Sequence, residues 1–316
     1  MKAAARAAVA AGLTGYILWN SHPREVLAAL TGADWRLIAI AVLLVVADRA
    51  LMAYRWVVLL CIIDPAERPP LLEIMRIFFV STFVGTFLPA SIGGDAVRAY
   101  SMTQLKVRGG DAVAAVFMDR MLGVASILVM AAVGLLLARD LAGNWTILLS
   151  LAVAAAACVA TLVLVFSESA AKAMSAALAP MPTSVRRAGD RVLASIRRYA
   201  AYHGRLVNVL AGSIAVQVLR IVQAYFLGAG LGIVLPPAAY FAFVPLILLV
   251  MLLPVTFNGI GTSQAAFVWF FGRAGVAGAP AFALSVLFVA LGVVGNLPGG
   301  LLYAAGRTRR DARAVR

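Results

Sequence analysis

Long apolar runs separated by short polar or Gly/Pro-containing breaks dominate the chain. A helix needs roughly 17–25 apolar residues to cross a hydrocarbon core. Six runs reach that length, at about 3–20, 36–60, 112–138, 145–166, 206–231 and 279–306. Two further apolar stretches, about 72–105 and 238–272, are each broken near the middle by Pro and Gly. Such breaks predict two short helices in place of one span.

The distribution of positive charge orients these elements. Residues 167–205 hold Lys172, Arg186, Arg187, Arg191, Arg197, Arg198 and Arg205 against only Glu168 and Asp190. Short loops rich in Lys and Arg stay on the cytoplasmic side. The same side suits the start, with Lys2 and Arg6, and the tail, with Arg307, Arg309, Arg310, Arg313 and Arg316. These assignments agree only if each broken stretch enters and leaves by one face, the first from the cytoplasm and the second from outside.

The expected fold is therefore an all-α polytopic membrane protein with about six full transmembrane helices and two re-entrant broken-helix hairpins. Residues 1–35 form an N-terminal signal-anchor helix, since no A-x-A-like cleavage site follows the apolar stretch. Residues 36–166 form a first repeat containing hairpin 72–105, and residues 206–306 a second containing hairpin 238–272. The two are related as an inverted repeat, a form common among secondary transporters. Residues 167–205 form a basic cytoplasmic segment, either lying along the headgroups or serving as a solvated linker, and residues 307–316 a basic cytoplasmic tail. The expected location is the bacterial inner (plasma) membrane, with both termini cytoplasmic.

Composition agrees with this picture and narrows the partners. Of 316 residues, 63% are hydrophobic and 13% charged. The mean hydropathy is +0.97, far above a soluble domain. The net charge of +14 comes from 27 Lys and Arg against 13 Asp and Glu, which in so apolar a chain points to anionic lipid headgroups. A nucleic-acid-binding surface is excluded, because the aromatics lie inside the apolar runs and no soluble basic domain is present. Cys61 and Cys158 have no CxxC spacing, and His22 and His203 lack a second ligand nearby, so neither a metal nor a cofactor is expected. The GxSxG, P-loop and HExxH signatures of enzymes are absent as well.

Candidate chemistry concentrates at the breaks. In FLPASIGGDAVRAY, residues 87–100, Pro89 ends one half-helix and Gly93-Gly94 permits a tight backbone. Asp95 is placed to cap the next helix, and Arg98 adds a charge about one turn later. An anionic headgroup suits this corner; the alternative is that Asp95 and Arg98 merely pair with each other or with neighbouring helices to satisfy a kink. In LLPVTFNGIGTSQAAF, residues 252–267, Pro254, Asn258, Gly259 and Gly261 repeat the plan, with Thr262 or Ser263 as cap and Gln264 one turn in.

Ionisable residues within spans cost several kcal/mol unless paired or hydrated, and so face the bundle interior. Asp119-Arg120 interrupts one span, and Asp48, Arg49 and Arg55 interrupt another, with Arg55 expected to snorkel to the interface. Gln217, Arg220 and Gln223 share one face of a third. Arg220 suits either anion contact or structural pairing.

At FLPASIGGDAVRAY followed by VFMDRMLG, residues 116–123, the chain resembles the flippase-like family named for the transmembrane region of lysylphosphatidylglycerol synthases. The shared features are a Pro-x-x-x-Gly-Gly-Asp-x-x-Arg string, an Asp-Arg-x-x-Gly string about 20 residues on, and a Pro and Gly-x-Gly string near the C-terminus. The resemblance spans most of the chain and implies a lipid translocase, with Pro89, Gly93, Gly94, Asp95, Arg98, Asp119 and Arg120 in the substrate pathway. It implies no lipid aminoacylation, which belongs to a cytosolic domain not seen here. Where that family continues with Arg-Glu, this chain has Ser263-Gln264.

The expected function is movement of an anionic phospholipid or lipid-phosphate-linked glycolipid across the membrane, with Arg98 contacting the phosphate, helped by Arg120 or Arg220. The alternative is a membrane-embedded enzyme or accessory subunit in glycolipid and cell-envelope assembly. The expected partners are an anionic lipid headgroup and membrane lipids, with an oligomer or an envelope enzyme as further partners.

Overall fold

The computed structural model describes residues 3–63, 69–87, 92–105, 107–137, 167–177, 180–252 and 259–314, with isolated positions between 149 and 163. Among the described residues there are twelve α-helices and no strand. In chain order these are α1 (Ala3–Asn20), α2 (Pro23–Thr31), α3 (Trp35–Ile63), α4 (Leu71–Phe87), α5 (Ile92–Gln104) and α6 (Gly109–Leu137). They continue with α7 (Glu168–Ala177), α8 (Thr183–Arg198), α9 (His203–Gly230), α10 (Pro237–Leu252), α11 (Thr262–Arg273) and α12 (Gly278–Ala314).

Among the described residues, four helices are long and apolar enough to cross a membrane: α3, α6, α9 and α12. Each corresponds to an expected span. The expected N-terminal span forms as the 18-residue α1, which is not among those four. The expected span at 145–166, together with Cys158, lies outside the described residues apart from isolated positions. The broken stretch 72–105 becomes α4 and α5, and 238–272 becomes α10 and α11, each pair packed together.

The α4–α5 contact is close because its residues are small. A Cβ on Gly85 would sit 2.9 Å from Gly94 Cα, and one on Gly94 would sit 2.9 Å from the Ser81 carbonyl oxygen. Ser81 and Gly85, four residues apart, thus present the small-xxx-small surface that lets helices approach within lipid.

The helices then interlock reciprocally. The central pair is α3 against α9. From the first half, α4 packs along α12; from the second, α10 packs along α6. Each of those docks against a glycine. A Cβ on Gly134 of α6 would strike the Phe241 carbonyl of α10, and a Cβ on Gly299 of α12 would strike the Phe79 carbonyl of α4. Around α10 and α11, Tyr240, Phe243, Phe267 and Phe271 pack in edge-to-face and stacked contacts with ring centroids 5.3–5.7 Å apart.

The basic segment is folded. Leu193, Ile196 and Tyr199 are buried at one edge of α8 and its end, with Ile196 and Tyr199 among Leu59, Met118 and Leu122. Arg186, Arg187 and Arg191 stay exposed. Buried Asp111, in the first turn of α6, accepts from Ser195 at 2.6 Å, from Arg108 at 2.9 Å and from Arg198. The Tyr199 hydroxyl donates to the Leu59 carbonyl at 3.1 Å. Burial, reinforced by the Asp111 carboxylate, pushes the Tyr199 phenol above its ordinary pKa. These bonds gather one end of α3 and α6 beneath α8.

Candidate functional site

A cavity of about 350 Å³ opens among α3, α4, α5, α6, α9 and α12. Met52 and Arg55 of α3, Ser81, Thr82, Gly85 and Thr86 of α4, and Gly94, Asp95 and Arg98 of α5 line it on one side. Asp119, Arg120 and Gly123 of α6, Gln217 and Arg220 of α9, and Asn296 of α12 line the other. At 1.5 Å per residue, Asp119 lies about 15 Å into α6 and Arg220 about 25 Å into α9. The cavity therefore sits deep within apolar helices. Four arginines against two aspartates leave its walls with a net charge of +2.

Asp119 is the centre of the charge arrangement. Its Oδ1 accepts from Arg55 Nη2 at 2.9 Å, and its Oδ2 lies 3.5 Å from Arg98 Nη1. Arg98 is further held by donating from Nε to Ser81 Oγ at 3.2 Å and from Nη2 to Thr82 Oγ1 at 3.3 Å. Both hydroxyls spend their own protons on the Phe78 carbonyl, so their oxygens are free to accept. The Arg98 guanidinium also lies 4.9 Å from the Trp56 ring and 4.8 Å from the Phe78 ring. These aromatic faces favour a cation taken out of water.

Asp95 and Arg98 pair with a neighbouring helix and not with each other. Because α5 begins at Ile92, Asp95 lies inside the first turn instead of at the cap, and its carboxylate accepts from Arg120 Nε at 2.5 Å. Arg55, expected to snorkel, is buried and pairs with Asp119. From its depth in α3, about 12 Å from the end, a partner on α6 is closer than the interface.

Arg220 is held more loosely. Its Nε lies 3.4 Å from Asp48 Oδ1 and its Nη2 lies 3.4 Å from the Met52 sulfur. Its side chain is 24% exposed, against 5% for Arg55 and 7% for Arg98. Gln217 donates to Ser126 Oγ at 3.2 Å, and Asn296 donates to Thr86 Oγ1 at 2.8 Å.

Seven expected site residues thus meet at one cavity: Gly94, Asp95, Arg98, Asp119, Arg120, Gln217 and Arg220. Gly93 lies beside it in the first turn of α5 without lining it. Gly259, Gly261 and Gln264 do not line it either. They build a capped corner, where Gly259 and Gly261 take positive φ values of 75° and 90° and Gln264 Oε1 accepts from the Gly261 N–H at 2.6 Å. The Gln264 side chain also accepts from Ser263 Oγ at 2.9 Å. Pro89, Pro254 and Asn258 lie outside the described residues. Sequence reasoning missed Ser81, Thr82, Thr86 and Asn296. The signal available for Asn296 was a lone amide in the apolar run LGVVGNLPGG.

Among the described residues, no group of three or more His, Cys, Asp and Glu side chains is placed to hold a metal. What the cavity offers is fixed positive charge and hydrogen-bond donors, which are the requirements of a phosphate or carboxylate. The family described as lysylphosphatidylglycerol synthase TM region matches residues 3–299. No curated protein matches the chain.

Proposed function

Starting from a chain that belongs to the lysylphosphatidylglycerol synthase TM-region family, a membrane protein of lipid metabolism or transport, we propose that it moves an anionic lipid between leaflets. The substrate is a phospholipid or a lipid-phosphate-linked glycolipid of the bacterial inner membrane. Its headgroup enters the cavity while its chains stay among the lipid-facing helices. The observation that carries this reading is the net +2 charge on the walls of an approximately 350 Å³ cavity deep in an apolar bundle. That volume suits a headgroup and is too small for acyl chains.

Arg220 makes the direct phosphate contact, since its guanidinium is exposed to the cavity and loosely paired. Arg55 and Arg98, tied to Asp119, supply charge from the wall. The reciprocal docking of α4 on α12 and α10 on α6 supports an inverted repeat with re-entrant hairpins. The concentration of arginine around α8 supports a cytoplasmic position for that end and for both termini.

The test is purified protein in liposomes carrying fluorescently labelled phosphatidylglycerol, with leaflet exchange followed by reduction of the outer label. Exchange faster than in protein-free vesicles, lost in Arg220→Ala, is expected. Exchange at the protein-free rate sinks the proposal. So does mass spectrometry showing a covalently altered lipid, which would favour the enzyme reading.

A further inference from the structure

Behind Arg220, outside the cavity lining, lies a carboxylate to which the proposed transport path assigns no role. Asp48 of α3 is only 2% exposed and stands between two arginines, with Oδ2 3.5 Å from Arg49 Nη1 and Oδ1 3.4 Å from Arg220 Nε. The second contact lacks hydrogen-bond geometry, and Asp48 Oδ1 is buried with no hydrogen-bond partner among the described residues. The contrast with Arg55 and Asp119, hydrogen-bonded at 2.9 Å, is plain. Arg49 is anchored elsewhere as well, donating to the Gly292 carbonyl at 3.1 Å and to the Met52 sulfur at 3.3 Å. Arg220 has only Asp48 and the Met52 sulfur as partners among the described residues.

The placement is one-sided. Arg220 lines the cavity and Asp48 does not, so a ligand can reach the guanidinium without reaching the carboxylate behind it. A phosphate binding Arg220 through its terminal nitrogens leaves Nε toward Asp48, and the two anions then share one cation. Like charges across a guanidinium repel, and in a poorly solvated site that repulsion is large.

We infer that Asp48 is an internal counter-anion that competes with the substrate's phosphate for Arg220, and so sets how tightly the headgroup is held. This rests on the reading of the cavity as a phosphate site. Asp48 is here a positioning residue: it touches Arg220, not the lipid. A carrier that must release its cargo is served by such a competitor, because binding too tight slows exit. The opposite role, a carboxylate that orients Arg220 and thereby strengthens binding, would call for a short hydrogen bond that Asp48 does not make.

The two roles differ in sign. The probe is dihexanoylphosphatidylglycerol, soluble as a monomer, titrated into the full chain in a neutral detergent. Asp48→Asn removes the competing charge with little change in volume and tightens binding by on the order of tenfold. Asp48→Glu keeps the charge, extends it toward Arg220 and weakens binding by about threefold. In liposomes, Asp48→Asn lowers the half-saturating lipid concentration and also lowers the maximal exchange rate, a split that a merely structural defect does not produce.

Weaker or unchanged binding by folded Asp48→Asn overturns the inference. If that variant does not fold, Asp48→Glu decides alone, and unchanged or tighter binding overturns it. A wild-type protein that binds the probe, with the variants in the stated order, but exchanges no lipid overturns transport and leaves the role of Asp48 standing. A wild-type protein that does not bind the probe at all overturns the inference together with the phosphate site it rests on.

Discussion

Replacing Gly94 by alanine adds one methyl group where no space exists for it. The new Cβ would lie 2.9 Å from the Ser81 carbonyl oxygen and 3.0 Å from Gly85 Cα. Both neighbours are backbone, so neither can rotate aside, and relief requires α5 to move away from α4. Arg98 is one turn along α5 and bonds to Ser81 and Thr82 of α4 at 3.2 and 3.3 Å. A shift of about 0.5–1 Å carries those contacts beyond hydrogen-bond range.

Overpacking of this kind costs about 1–3 kcal/mol, and loss of the Arg98 bonds adds about 1 kcal/mol or more. Improved helix propensity returns at most about 1 kcal/mol. A net loss of about 2 kcal/mol lowers Tm by about 3 °C in a chain of this length. The assay is thermal unfolding in detergent alongside lipid exchange in liposomes. Gly85→Ala, which meets Gly94 Cα at 2.9 Å, is expected to behave alike. Gly292→Ala, whose Cβ meets nothing within 4 Å, serves as the control and is neutral or stabilising. Gly94→Ala with unchanged Tm and unchanged exchange refutes the reasoning from close approach.

Asp119→Asn leaves Arg55 and Arg98 facing each other without their shared anion, and lowers stability by about 3–5 kcal/mol, read as reduced Tm and yield. Arg220→Ala abolishes at least nine-tenths of lipid exchange, on the order of 1.4 kcal/mol or more of lost interaction, while Tm stays close to wild type because no strong hydrogen bond is broken. Gln264→Ala removes the acceptor for the Gly261 N–H, costs about 1 kcal/mol of stability and leaves phosphatidylglycerol affinity unchanged, since Gln264 does not line the cavity. Burial, reinforced by Asp111, raises the folded-state pKa of Tyr199 above that of the unfolded chain. The stability this residue contributes is thus complete below about pH 10 and falls as pH rises beyond it; Tyr199→Phe flattens that alkaline limb in Tm measured from pH 8 to 11.

The four long spans were legible because their apolar length leaves a bilayer as the only solvent, and the division of each broken stretch into two short helices because Pro and Gly interrupt the helical pattern. The cluster of Gly94, Asp95, Arg98, Asp119 and Arg120 was legible from its motifs. Its wiring was not. Sequence indicates that a buried arginine needs a partner but leaves open whether Asp95 and Arg98 pair with each other or with neighbouring helices; helix packing pairs Asp95 with Arg120 and gives Asp119 to both Arg55 and Arg98. Arg55 illustrates the limit: its position in α3 is compatible with snorkelling, and only the placement of α6 beside α3 decides against it. The second Pro-Gly corner is a different case, with Pro254 and Asn258 outside the described residues. A chain break at depth reads as a binding element, yet Ser263 and Gln264 turn their polar atoms back onto the helix start and satisfy it internally.

The glycine contacts of Gly134 and Gly299 also constrain biogenesis. α4 emerges from the ribosome well before its seat against Gly299 of α12, which follows more than 200 residues later. Until α12 has been inserted, α4 has no partner for its Phe79–Phe83 face, and the Arg98-bearing helix attached to it has no finished pocket. The α4–α5 part of the protein must therefore wait in the membrane in an unfinished state, exposed to quality control, until α12 has been translated and inserted. Translation stalled within α12 would then yield a product that inserts but cannot close.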